Sequence, residues 1–221
     1  QLLSAADYEQ RQQIQAQLED IALDIEDVRY KLDQAVYTAP LLDVYFSDQL
    51  NGIAVGAFGK VLLTNNGGNI WQQQLDTEDI FGDYHLNAVT GDGSGQLWIA
   101  GEEGLLLYSV DHGTSWRSLA SPYNGSWFGI SRNAASARIV VFGLRGHVFA
   151  SDDDGASWEP VHMDKRAKTV AGGGFVGNRY AVLAGAGGAL LVSRDGGQRF
   201  ESRYVDGRLG LSAATLAGGH I

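Results

Sequence analysis

The chain holds 221 residues, carries a net charge of −10 and contains 30 Gly, three Pro and no Cys. The acidic balance excludes a counterion-replacing nucleic-acid surface, and the lack of Cys excludes disulfides, thiolate metal sites and a Cys nucleophile. Abundant Gly between short Val/Ile/Leu/Phe runs predicts a turn-rich all-β domain, and no run of about 18 apolar residues reads as a membrane span.

Residues 1–37 differ in kind from the rest, holding no Gly and no Pro. Ile14, Leu18, Ile21, Ile25, Val28, Leu32 and Ala35 recur at alternating spacings of four and three. That is the heptad seam of a helix that packs along another helix or a flat groove. Upstream the seam fades at Asp7 and Arg11, and Glu19, Asp20, Asp24, Glu26, Asp27 and Asp33 occupy the outer faces. Two readings stand. The helix braces the β domain, or residues 14–35, with Leu18, Ile21 and Ile25 as contacts, dock a partner or form a stalk. The chain begins at Gln1 rather than Met, so trimming is expected, with any signal peptide or anchor upstream.

Beyond Pro40 the chain repeats. Ser109-x-Asp111-x-Gly113-x-x-Trp116 returns as Ser151-x-Asp153-x-Gly155-x-x-Trp158 and as Ser193-x-Asp195-x-Gly197-x-x-Phe200. A softened copy, Thr64-x-Asn66-x-Gly68-x-x-Trp71, precedes them. A Gly-x-x-Gly begins eight residues before each box, at Gly56, Gly101, Gly143 and Gly185. Two signatures in phase over four copies define a repeat protein. The box reads as a hairpin tip. Its Asp accepts turn N–H groups, its Gly supplies a left-handed conformation, and its Trp covers the turn while the indole N–H finds a carbonyl.

Each unit parses into four strands; in the second they are 85–89, 96–100, 105–109 and 116–119. Four antiparallel strands per unit is the size of a β-propeller blade. The expected blades are 41–76, 85–120, 127–162 and 168–205, with part of a fifth at 209–221 that opens with a strand over 209–214. The fold expectation is therefore an all-β propeller of four complete blades and a partial fifth, preceded by an α-helix.

The first repeat carries a further resemblance. Asp43-Val44-Tyr45-Phe46-Ser47-Asp48, Asn51-Gly52-Ile53-Ala54-Val55-Gly56, Gly59-Lys60-Val61-Leu62-Leu63-Thr64 and Gly67-Gly68-Asn69-Ile70-Trp71 follow one another. This pattern resembles the photosystem II stability/assembly factor-like propellers, within the wider set of Asp-box (BNR-repeat) proteins. The resemblance covers about residues 41–221. It implies a seven-bladed, extracytoplasmic, non-enzymatic protein that helps assemble or stabilise a membrane protein complex. It also implies a partner of photosystem type or an envelope transport system such as an RND-type exporter, and a periplasmic or lumenal location. Seven blades need roughly 300 residues at this period, so a C-terminal part is expected beyond Ile221.

Asp-box proteins also include sialidases and related glycosidases, so a carbohydrate-active or carbohydrate-binding propeller is the alternative. Catalysis of that kind needs two carboxyl groups held across the scissile bond. Glu102-Glu103 and Asp152-Asp153-Asp154 instead lie in turns, and the arginine-bearing stretch expected before the first repeat of a sialidase is missing. No metal or cofactor is expected, because His85, His112, His147, His162 and His220 show no ligand spacing and no helix follows the Gly-x-x-Gly turns.

What remains is a binding surface. Blade geometry puts the Gly-x-x-Gly turns and the inter-blade connectors on one rim and the boxes on the other. The first rim offers Phe58, Glu102, Glu103 and Arg145 at its turn tips. Its connectors offer Phe81, Tyr84, Tyr123, Trp127, Lys165 and Arg166, with Phe81 and Trp127 reading equally well as rings buried between blades. Side chains that vary on a fixed frame, rich in aromatics and Arg, are the usual anchors of protein interfaces.

Overall fold

The structure is a computed structural model that describes residues 5–74, 83–163, 167–207 and 209–215. It contains two compact units, Gln1–Pro40 and Leu41–Ile221. The first is a single helix, α1 (Ala5–Thr38). It stops where the chain must, since the residue before Pro40 is forced out of helical geometry. Its seam residues Ile14, Leu18, Ile21, Ile25 and Val28 are all 48–61% exposed. Among the described residues no helix is long and apolar enough to cross a membrane.

The second unit is a run of sheets, each built on a four-stranded antiparallel meander in chain order, the last with a fifth strand added. Blade I holds β1 (Leu41–Phe46), β2 (Gly52–Gly56), β3 (Val61–Thr64) and β4 (Gln72–Gln73). Blade II holds β5 (Leu86–Gly91), β6 (Leu97–Gly101), β7 (Leu106–Ser109) and β8 (Arg117–Ser118). Blade III holds β9 (Trp127–Arg132), β10 (Ile139–Gly143), β11 (Val148–Ser151) and β12 (Glu159–Pro160), after which β13 (His162–Met163) follows. Blade IV holds β14 (Val170–Val176), β15 (Tyr180–Gly185), β16 (Ala189–Ser193) and β17 (Arg199–Tyr204). This is a β-propeller architecture.

Period-two alternation builds the core between blades rather than within them. Val89 and Ile99 pack toward blade I, with Ile53, Val55 and Leu107. Their neighbours Ala88, Trp98 and Ala100 face blade III, where they meet Trp127, Ile139 and Val141. Val140 and Phe142 then face blade IV, against Leu183, Leu191 and Phe200. Every central blade is thus apolar on both faces. Each fully buried ring or branched chain contributes about 1.5–3 kcal/mol.

Three boundaries depart from the sequence expectation. The outer strands of blades I to III keep only two ladder residues and begin after the box aromatic, because that ring folds back over its own turn. Residues 209–214 form no strand. An inner strand gains its ladder from its own second strand, and residues 216–221 lie outside the described residues; the Leu211 N–H donates to the Gly185 carbonyl instead, at 3.1 Å. Finally, β13 leaves blade III and pairs parallel with β17, His162 beside Arg199 and Met163 beside Phe200. The tail of one blade covers the open outer edge of the next.

Candidate functional site

The two rims of the propeller differ in what their side chains are free to do. On the box rim the hydroxyls of Thr64, Ser109, Ser151 and Ser193 each donate to the Oδ1 of the Asn or Asp two residues on, at 2.7–3.0 Å. Each hydroxyl oxygen also accepts the N–H of the box glycine, Gly68, Gly113, Gly155 or Gly197, at 2.8–3.1 Å. The same Oδ1 of Asn66, Asp111, Asp153 or Asp195 accepts the N–H four residues further on, at 2.9–3.1 Å. Two consecutive left-handed residues close every box. The first is Gly67, His112, Asp154 or Gly196, and the second is the box glycine at φ between 84° and 88°.

These bonds set the acidity of the box. Hydrogen bonds from the Ser157 hydroxyl, the Ser157 N–H and the Ser151 hydroxyl pull Asp153 down to about 2. For Asp111 burial pushes upward, but the bonds from Ser115 and Ser109 outweigh it and the carboxyl lies below its ordinary value. Asp195 follows the same balance, with Ser193 and two backbone N–H groups prevailing over burial. A carboxylate held ionised by its own turn is a poor proton donor.

The aromatic positions also serve the fold. The Trp116 indole N–H donates to the Gly113 carbonyl at 3.0 Å, and Phe200 is fully buried. Trp71 is half-buried and meets Phe46 edge-on. Trp158 departs from the expectation, since its indole nitrogen is buried with no hydrogen-bond partner among the described residues. The boxes tie neighbouring blades together as well. Gln74 of blade I donates to the Gly113 carbonyl at 2.6 Å, the Trp98 indole to the Asp154 carbonyl at 3.0 Å, and Arg138 Nε to the Gly197 carbonyl at 3.1 Å.

A cleft of about 330 Å³ opens on this rim between blades I and II, lined among others by Asn51, Asn66, Gln72 and His112. Among the described residues no Asp or Glu lines it, whereas glycoside hydrolysis requires a pair of carboxyl groups.

The opposite rim is built from the Gly-x-x-Gly turns. Each turn is fixed through its backbone: Glu102 N–H donates to His85 O, Leu144 N–H to Ser126 O, and Ala186 N–H to Thr169 O, at 3.0–3.1 Å. Phe58, Glu103, Arg145 and Gly187 occupy the same tip position, all left-handed with φ between 51° and 74°. The backbone is held and the side chains project.

At the junction of blades I and II these side chains gather. Phe58 is 64% exposed and its ring meets His85 edge-on at 5.1 Å. Glu102 accepts the His85 N–H at 2.9 Å and lies 3.2 Å from His85 Nδ1. Tyr84 donates its hydroxyl to Glu103 at 3.1 Å, and that hydrogen bond and the carboxylate's charge raise the phenol's pKa. At the next junction Tyr123 is half-buried and stacks on His147 with centroids 4.1 Å apart.

One rim candidate is overturned. Trp127 is fully buried, its ring filling the space between blades II and III and its indole N–H donating to the Ser121 hydroxyl at 3.1 Å. It supports the rim from below and offers it no surface. Phe81, Lys165 and Arg166 lie outside the described residues. Arg145 is exposed at its tip, and Leu18, Ile21 and Ile25 are exposed on α1. The sequence reading missed the left-handed conformation at Phe58, Glu103 and Arg145. Only Gly187, at the same position in the fourth copy, signalled it.

Comparison with known proteins adds the family context. The family model described as "Photosynthesis system II assembly factor YCF48" matches residues 22–161. The photosystem II assembly lipoprotein Ycf48 of Synechococcus sp. (strain CC9902) is 32% identical over 132 residues, 56% of this chain and 37% of that protein. The chloroplastic photosystem II stability/assembly factor HCF136 of Oryza sativa subsp. japonica is 29% identical over 136 residues, 59% of this chain and 32% of that protein. The chain thus spans about a third of the length of these curated relatives. Among solved structures it is similar to YCF48 bound to D1 peptide, with a TM-score of 0.53, 20% identity, and coverage of 75% of this chain and 82% of that one. It is also similar to an ancestral GH74 enzyme, with a TM-score of 0.59, 18% identity, and coverage of 73% and 23%. At these identities both likenesses show the fold alone.

Proposed function

The chain belongs to the family of the photosynthesis system II assembly factor YCF48, and on that premise we propose that it is a non-enzymatic accessory protein of a membrane protein complex. It acts outside the cytoplasm, in a periplasmic or lumenal space, on a complex of photosystem type or an envelope transport system. The names of its relatives, a lipoprotein and a chloroplastic factor of photosystem II assembly, support that reading.

The observation that carries it is the division of labour between rims. Box side chains are consumed by bonds to their own turns and to the next blade. On the Gly-x-x-Gly rim the backbone carries the structure, which leaves Phe58, Tyr84 and Glu103 exposed on a rigid frame. A rigid backbone presenting varied aromatic and charged side chains suits recognition of a protein segment. The acidic pair Glu102 and Glu103 favours a segment bearing Lys or Arg.

Affinity purification of the tagged protein from native membranes tests this. We expect recovery of a membrane-complex subunit by the unaltered protein and its loss with a Glu102→Lys/Glu103→Lys variant of unchanged melting temperature. Hydrolysis of a glycoside panel without any partner recovered would overturn it in favour of a carbohydrate-active propeller.

A further inference from the structure

We propose that α1 is one strand of a parallel coiled coil of three or four copies of this chain. Five apolar residues, Ile14, Leu18, Ile21, Ile25 and Val28, are about half exposed along one unbroken helix. They fall on heptad positions d, a, d, a and d, and Leu32 and Ala35 extend the series in sequence. A strict spacing of four and three is the seam of a supercoiled bundle, and Leu23 and Tyr30, also exposed, lie outside it at f.

One ion pair across the seam suits a second copy as the occupant, set against the net negative charge of the helix. In a parallel, in-register pair, a g position meets the e position five residues on in its neighbour. Here Asp24 at g meets Arg29 at e, and the pairing recurs at every interface of a ring of identical strands. The acids Glu19, Asp20, Glu26 and Asp27 fall at b and c, which face solvent in such a bundle.

Side-chain shape selects the number of strands. Leu18 and Ile25 at a, with Ile14, Ile21 and Val28 at d, lack the Leu-at-d pattern that two strands prefer. Leucine or isoleucine at a with β-branched residues at d fits three or four strands. Small Ala22 at e, whose flank is covered in a wider bundle, agrees with that count.

The inference stands apart from the identity of any membrane partner, and its test needs none. Sedimentation equilibrium of the full chain at tens of micromolar should give three or four times 23.7 kDa. Because b and c carry net negative charge in every copy, association should strengthen as salt rises. Ile21→Asp/Ile25→Asp should yield a monomer with the melting temperature of the β unit unchanged. Asp24→Arg should weaken assembly and Asp24→Arg/Arg29→Asp restore it. Since the chain has no Cys, Leu18→Cys and Val28→Cys each supply a single thiol. Both should cross-link between copies under mild oxidation if strands are parallel and in register. A monomer or dimer at that concentration, a mass unaffected by Ile21→Asp/Ile25→Asp, or failure of either thiol to cross-link overturns the proposal.

Discussion

The carboxylate of Asp43, on the inner strand of blade I, accepts the backbone N–H of Val89 on the inner strand of blade II at 2.9 Å. Its other oxygen accepts the Val44 N–H at 2.8 Å. The next junctions are bridged by neutral groups: Asn87 donates to the Trp127 carbonyl, and the Ser131 hydroxyl accepts the Phe175 N–H. Of these three links, only the first brings an ionisable, half-buried group.

Burial holds the Asp43 pKa above its ordinary value, despite the two N–H bonds that favour the anion. Below the ordinary value of 3.8 both folded and unfolded states are protonated and the group costs nothing. As pH rises through the folded pKa, ionisation opposes folding. Asp43→Asn keeps an acceptor for Val89 and removes the charge. Its melting temperature relative to the unaltered protein should therefore be higher at pH 7 than at pH 3.5. A pH-independent difference would contradict this.

Box carboxylates act with the opposite sign. Asp153, lowered to about 2, contributes stability that is present above its ordinary value of 3.8 and lost as pH falls toward 2. Asp153→Asn should flatten the acid limb of a plot of melting temperature against pH. Asp111→Ala, which loses the bonds to Ser109 and Ser115, should cost about 1–2 kcal/mol by chemical denaturation without abolishing partner capture.

Stability and recognition should separate at Phe58. A bulky residue in the left-handed region is strained by about 1–2 kcal/mol, and the ring is largely exposed. Phe58→Gly relieves that strain while loosening the unfolded chain, so the melting temperature should hold or rise slightly. Partner recovery should fall. A fall in both would mean that the ring is a packing residue.

Salt and charge give the fourth trial. Partner capture through Glu102 and Glu103 should weaken between low and moderate ionic strength, and Glu102→Lys/Glu103→Lys should reduce it further. Capture indifferent to salt would place the contact on an apolar anchor such as Phe58 instead.

Much of the architecture was legible because the repeat writes its turns into the sequence. Ser109, Asp111 and Gly113 are needed at fixed spacing by bonds that never leave the hairpin. What was not legible depends on partners distant in sequence. The outer strands shorten because Trp116 turns back onto Gly113, a choice of side-chain direction rather than of residue type. The pairing of His162 with Arg199 spans two blades and two ladder residues, too few to leave a period. Trp127 reads equally well as surface anchor or inter-blade wedge, and only the space between Trp98 and Phe149 decides it. The Phe58 tip hid for another reason: three of its four copies place a side chain where the backbone favours glycine.

The parallel pairing of β13 with β17 bears on how the protein comes apart. Blade III cannot peel away without stripping the strand that covers the edge of blade IV. The two sheets should then open as one cooperative unit, their amide protons exchanging with a shared free energy. Among the described residues, the contact at the same level between blades I and II is made by side chains such as Gln74, and the outer amides there should exchange before those of the paired blades III and IV.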